Sequence, residues 1–131
     1  MRRALAAAAL AAALLGGCGD SEPTAREQVR QTLDEFGRAT AAKDYQALCD
    51  RVFAPELVTK LTQVGLPCEV AMQQSFEDVE NPRLTIGAIS VAPDEKRATA
   101  EVRTSATGQT PSQDEVELVP AEGGWRVSSL G

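Results

Sequence analysis

"NPRLTIGAISVAPDEKRATAEVRTS", residues 81–105, is where the chain changes its period. Asn81-Pro82 closes off what precedes it, because the residue before a proline is pushed out of the helical region. From Arg83 onward apolar and polar residues alternate, and Thr, Val and Ile become common, which is the pattern of strands. Leu84, Ile86 and Ala88 share one phase while Ile89 and Val91 take the other. Gly87 stands at the shift, which predicts a bulge or bend in a curved strand. "APDEK", residues 92–96, is a turn by composition, and Ala98, Ala100, Val102 and Thr104 then alternate against Thr99, Glu101, Arg103 and Ser105.

Downstream, "TGQTPSQD" (residues 107–114) is a loop, followed by a strand with Val116 and Leu118 inward, and "AEGG" (121–124) turns the chain into a last strand opened by Trp125. Upstream the period is helical. Thr24 with Glu27 three positions on makes a capping box, so a helix starts there. Val29, Leu33, Phe36 and Thr40 then form the inward stripe of an amphipathic segment reaching about Ala42. Asp44 caps a second helix with Tyr45, Leu48, Cys49, Val52 and Phe53 on one face. Pro55 begins a short helix through Leu57, Val58, Leu61 and Val64, with Gly65 placed to end it. A further helix is predicted from about Cys68 past Met72 to Phe76. Helices first and an antiparallel meander of about four strands afterwards define an α+β fold, with a strongly curved sheet wrapped around the long helix.

The first residues belong to a different kind of segment. Arg2 and Arg3 precede a run of Ala and Leu from Ala4 to Leu15, followed by small residues, the marks of an export leader. As a helix that run would be about 18 Å long, against a hydrocarbon core of roughly 30 Å, so it is too short to span a membrane. Leu15, Gly16, Gly17 and Cys18 resemble the bacterial lipobox. That resemblance implies that residues 1–17 are removed as a lipoprotein signal peptide and that Cys18 carries lipid. Residues 18–23 then serve as the lipidated cysteine and a short tether, and 24–131 as one domain. Two acyl chains give lasting attachment where one is marginal. The expected address is the outer face of the bacterial cell membrane. An ordinary exported cysteine beyond a normal cleavage site is the alternative.

Export bears on the remaining cysteines. With Cys18 lipidated, Cys49 and Cys68 are an even pair in an oxidising compartment, most simply a disulfide. A thiol nucleophile or a metal pair is the rival, and the chain contains no histidine to assist either. The net charge of -6, which grows more acidic once Arg2 and Arg3 are lost, argues against nucleic acid or anionic lipid as a partner of the folded part. At 4% of residues, aromatics are too few for a base-stacking platform.

The order of elements, the helix pair carrying the cysteines, and the ending "ELVPAEGGWRVSSLG" (117–131) together resemble the nuclear-transport-factor-2-like superfamily over residues 24–131. That resemblance implies a cone with a pocket at its wide end, hosting isomerases, dehydratases and hydrolases as well as binding and assembly modules, and often dimerising through the sheet face. Fold membership alone predicts no reaction. A pocket between sheet and helices, lined by Leu33, Phe36, Tyr45, Leu48, Val102 and Trp125, would suit a small apolar ligand; the same residues equally suit a filled core.

Chemistry has few candidates. Tyr45, Asp44 and Asp50, with Arg103 or Arg126 as counter-charge, are the best acid-base set, but Asp44 is explained as a cap and Asp50 as a solvent-facing residue. Asp114, Glu115 and Glu117 resemble a cation site, yet Glu115 and Glu117 alternate out of phase with Val116 and Leu118 and read as a solvated strand face, so no metal and no cofactor is expected. The sequence thus reads as a lipid-anchored extracytoplasmic binding or protein-interaction module. An isomerase-, dehydratase- or hydrolase-type enzyme acting on a small hydrophobic substrate is the alternative.

Overall fold

A computed structural model describes residues 22–131; the leader, Cys18 and most of the tether lie outside the described residues. Helix α1 spans Ala25–Ala41, and its first turn is closed by the expected capping box: the Glu27 amide donates to Thr24 Oγ1 at 3.2 Å and the Thr24 amide to Glu27 Oε2 at 3.1 Å. Helix α2, Tyr45–Ala47, is capped by Asp44, whose carboxylate accepts from the Ala47 amide at 3.0 Å. It does not run on as a regular α-helix: Leu48–Val52 widen into a π turn, closed by the Phe53 amide donating to the Leu48 carbonyl at 2.9 Å. The wider turn keeps Leu48, Cys49 and Val52 facing inward.

Phe53, expected on that helix face, is buried but not helical. Its backbone is extended and forms an isolated parallel bridge with Val127, and the next amide, of Ala54, donates to the Val127 carbonyl at 2.7 Å. Two residues thereby satisfy part of a strand edge that would otherwise be left unpaired. Helices α3, Pro55–Thr62, and α4, Cys68–Ser75, follow. Val64 falls beyond the end of α3 and is exposed, because the chain turns away at Gly65, which has a φ of 89°. The Cys49–Cys68 disulfide, with Cα atoms 6.0 Å apart, staples the π turn to the start of α4.

Four antiparallel strands complete the α+β fold in the order β1-β2-β3-β4: Arg83–Val91, Ala98–Ser105, Ser112–Ala121 and Gly124–Leu130. β1 is bulged where expected. Ile86 pairs with Val102 and Ile89 with Ala100, so Gly87 and Ala88 together oppose Glu101. A Cβ on Gly87 would come within 3.2 Å of Glu101 Cβ and 3.3 Å of its carbonyl oxygen, a tight fit that would oblige Glu101 to shift by a few tenths of an ångström. A second bulge lies between β3 and β4. Glu117 pairs with Ser129 and Leu118 with Val127, leaving Ser128 unpaired with its hydroxyl donating to the Glu117 carbonyl at 3.2 Å. Two bulges in a small meander bend and twist it, and the sheet curls without closing.

Helix α1 lies in the curl against β1 and β4. The core joins Val29 and Leu33 of α1 with Leu48, Val52 and Phe53, and with Val116, Leu118, Trp125 and Val127 of the sheet. The inward positions of β2 are Ala98, Ala100 and Val102, all buried. These small side chains sit under the core built by the helices and the neighbouring strands.

Candidate functional site

The opening in this core lies at one end, where α1 runs past the beginnings of β1 and β3 and the end of β2. A cavity of about 260 Å³ is lined there by Phe36, Gly37 and Thr40 of α1 and by Leu84 of β1. Phe76, Val79 and Pro82 of the α4–β1 connection wall one side. Thr104, Ser105, Gln109 and Ser112 form the opposite, more polar rim.

Local structure explains why these residues meet. Phe36 occupies the inward stripe of α1 and makes an edge-on contact with Phe53, ring centroids 5.9 Å apart. Phe76, just past α4, is stacked on Tyr45 at 6.3 Å, which holds the α4 end against α2. Asn81 adopts a left-handed backbone with φ of 50°, a conformation Asn tolerates better than most residues. That turn brings its side-chain amide to 3.1 Å from Thr107 Oγ1, while the Thr107 amide donates to the Glu80 carbonyl at 2.9 Å. The α4–β1 connection and the β2–β3 loop are thus clasped together beside the cavity.

Two features define the chemistry of the cavity. Its lining holds no carboxylate and no histidine; the ionisable side chain present is Arg83, exposed at the rim. In its wall stands Thr40, 7% exposed, whose hydroxyl oxygen is buried and makes no hydrogen bond. Thr32, two turns earlier on the same helix, shows the usual alternative: its hydroxyl is within 3.2 Å of the Gln28 carbonyl and 2.6 Å of the Trp125 carbonyl. Ser75 likewise donates to Ala71, four residues back, at 2.8 Å.

The six residues expected to line a pocket do not share one. Leu33, Leu48 and Val102 are packed within the core, and Trp125 is 5% exposed, its edge reaching a polar groove beside Thr32, Glu35 and Arg51. Tyr45 borders a separate shallow groove with Val70 and Gln73. Phe36 alone of the six lines the apolar cavity. Leu33, Leu48 and Val102 are consumed by the packing of helices on the sheet, so the space they were expected to line is filled. Sequence reasoning placed Thr40 on the inward stripe but not in a site; the available signal was a hydroxyl at a position where the stripe calls for a hydrocarbon.

Of the acid-base candidates, Asp44 and Asp50 border one surface groove with Arg51, which neither Tyr45 nor Arg103 lines. Asp44 is engaged as a cap, the Asp50 carbonyl accepts from Arg126, and Arg103 points outward from β2. Glu35 is paired with Arg38 and Arg51 on the surface. Among the described residues no cluster of His, Cys, Asp or Glu is arranged to hold a metal ion, and no helix is long and apolar enough to cross a membrane. Glu117 pairs with Arg97 at 2.8 Å, and Glu115 lies directly opposite Glu101 on the outer sheet face.

The class defined by this geometry is an α+β domain whose curled four-stranded meander holds one long helix, with a partly open, mainly apolar cavity beside it. Comparison with solved structures gives it a relative in fold: the Kfla4162 protein from Kribbella flavida, with a TM-score of 0.56 and 22% identity over 80% of this chain and 86% of that one. The chain is also similar to RPA3114, a SEC-C motif containing protein from Rhodopseudomonas palustris, at a TM-score of 0.49 and 18% identity over 72% of this chain and 70% of that one. A third is xcc0381 from Xanthomonas campestris pv. campestris, provisionally described as a polyketide cyclase, at a TM-score of 0.49 and 14% identity over 80% of this chain and 90% of that one. No protein-family model matches the chain, and no curated protein matches it at a significant level.

Proposed function

We propose that this chain is an exported protein, tethered to the outer face of the bacterial cell membrane by lipid on Cys18, whose nuclear-transport-factor-2-like domain binds a small apolar ligand. The observation that carries the reading is the cavity between Phe36, Phe76 and Leu84: mainly apolar, partly open to solvent, and bordered by hydroxyl and amide side chains. Concave apolar sites with a few polar groups are the usual form of small-molecule sites. The buried Cys49–Cys68 disulfide supports the extracytoplasmic half of the reading, since such bonds persist in oxidising compartments. The lipobox-like stretch ending at Cys18 supports the anchor.

The enzymatic alternative has no residue pair in its favour. General acid-base chemistry needs a titratable group within hydrogen-bond reach of the reacting atom, and the lining supplies only a rim arginine. The test is mass spectrometry of small molecules that accompany the chain through purification and are released on denaturation. An apolar compound near one per chain, lost in a Leu84→Trp variant that fills the cavity, is the expected result. A chain that carries nothing and takes up no apolar probe overturns the proposal.

A further inference from the structure

The polar side of the cavity carries a pair of hydroxyls whose hydrogen-bond sense is fixed from outside it. Thr104 of β2 stands opposite Leu84 of β1 and opposite Ser112 of β3, so these three side chains share the inward face of the sheet, and all three line the cavity. Thr104 Oγ1 and Ser112 Oγ are 2.8 Å apart, and the Ser112 hydroxyl donates to Asp114 Oδ2 at 3.1 Å. Asp114 lies two residues further along β3 and is not part of the lining.

A hydroxyl has one proton and two lone pairs, whereas a carboxylate only accepts. Because Ser112 gives its proton to Asp114, the contact with Thr104 is a hydrogen bond only when Thr104 donates and Ser112 accepts. That uses the one proton Thr104 has, and what its oxygen still offers is acceptor capacity. The other polar side chains around the space carry no such constraint: Gln109 and Thr110 are exposed on the β2–β3 loop, and Ser105 takes the alternate phase of β2, opposite Arg83. Thr104 is half-buried beside Leu84, so its oxygen stands at the edge of the apolar wall.

Size and charge narrow what would meet it. A cavity of roughly 150 Å³ lined by hydrocarbon accepts benzene, and drug-sized pockets begin at roughly 300 Å³. The 260 Å³ here therefore suits one ring or two fused rings. A carbonyl oxygen against Thr104 would set acceptor on acceptor, and an ammonium would be buried in a lining that holds no carboxylate, which is costly for an unpaired charge. A neutral hydroxyl or N–H avoids both penalties.

We propose that the ligand is a one- or two-ring apolar molecule carrying a neutral donor, that Thr104 Oγ1 accepts it, and that Asp114, acting through Ser112, is the positioning residue that keeps Thr104 in the accepting sense. The inference rests on the cavity being a ligand site. The test uses the full chain and three two-ring probes of similar shape: indole, which donates, 1-indanone, which only accepts, and indene, which has no polar atom. Affinities are measured for wild type, Thr104→Val and Asp114→Ala, with Leu84→Trp reporting whether indene binds in the cavity. Valine keeps the shape of threonine and suits a strand, and Asp114 is exposed, so neither change endangers the fold.

The indole-to-indene affinity ratio is expected to fall about fivefold in Thr104→Val, the worth of one net hydrogen bond. In Asp114→Ala the Ser112 proton is released to Thr104, whose own proton can then point into the cavity, so the indanone-to-indene ratio rises about threefold or more. A merely structural role for Asp114 would move all three affinities together. An indole-to-indene ratio unchanged by Thr104→Val overturns the role of Thr104 while the cavity remains a ligand site, and an indanone-to-indene ratio unchanged by Asp114→Ala overturns the role of Asp114. If no probe binds wild type, or if Leu84→Trp leaves indene binding intact, the ligand-site reading falls with both.

Discussion

The Thr32 hydroxyl, in the middle of α1, lies 2.6 Å from the carbonyl oxygen of Trp125 at the start of β4. The two residues are 93 positions apart, and their hydrogen bond fixes the middle of the long helix to the last strand, one turn before the cavity-lining Phe36. Replacing Thr32 with valine keeps the shape and removes the donor, leaving a half-buried carbonyl short of a partner. Thr32→Val is expected to lower stability by about 1–2 kcal/mol. Urea denaturation with an unchanged midpoint would show that the bond contributes nothing net.

The disulfide joins a π turn to the first residue of a helix that has no side-chain cap at its own start. Reduction, or the Cys49→Ser/Cys68→Ser double variant, is expected to cost about 3 kcal/mol, from the chain entropy released to the unfolded state by opening a loop of this length. Denaturant midpoints with and without reductant measure it. The oxidised protein should yield no alkylated thiol at either position by intact mass.

Gly37 is a glycine inside a helix, where it costs about 1 kcal/mol relative to alanine. Nothing in the packing demands it: a Cβ there would sit 3.5 Å from Leu84 Cβ, an ordinary contact, and φ is not in the glycine region. Gly37 does, however, line the cavity. Gly37→Ala is therefore expected to raise the melting temperature by a few degrees and to weaken apolar probe binding. Gains in both would mean that the space above Gly37 is not used by ligand.

Lipid attachment is read from the leader, and it has a direct assay. In a bacterial host, labelled palmitate is expected to enter the wild-type chain and not a Cys18→Ala variant. Equal labelling of the two would end the anchor proposal, leaving the domain and its cavity untouched.

Element types were legible wherever a short range of sequence decides them. The capping box at Thr24 and Glu27, the Asp44 cap, the stop at Asn81-Pro82 and the bulge at Gly87 all depend on residues within a few positions of one another, and all are where the sequence placed them. The candidate site was legible only in part. Periodicity put Leu33, Phe36, Leu48, Val102 and Trp125 on inward faces, and the first and last three of these are buried while Phe36 is half-buried. An inward face says nothing about whether the space it meets is filled. Tyr45, read onto the same face, sits beside a different groove because the helix carrying it widens into a π turn three residues later.

The sequence by itself determined the change from helical to alternating period at residue 82, the inward stripe of α1, and the pairing of two cysteines that now bridge Leu48–Val52 to Cys68–Ser75. Only the tertiary structure decided that Phe53 would leave its helix to bridge Val127, that Ser128 would bulge from β4, and that a hydroxyl on α1 would be sealed without a partner beside Leu84. The physical reason is one of range. Caps, turns and bulges of the first kind are settled by backbone sterics and hydrogen bonds between near neighbours, whereas a cavity is the volume left over when helices and a curled sheet from distant parts of the chain have packed as closely as their side chains permit.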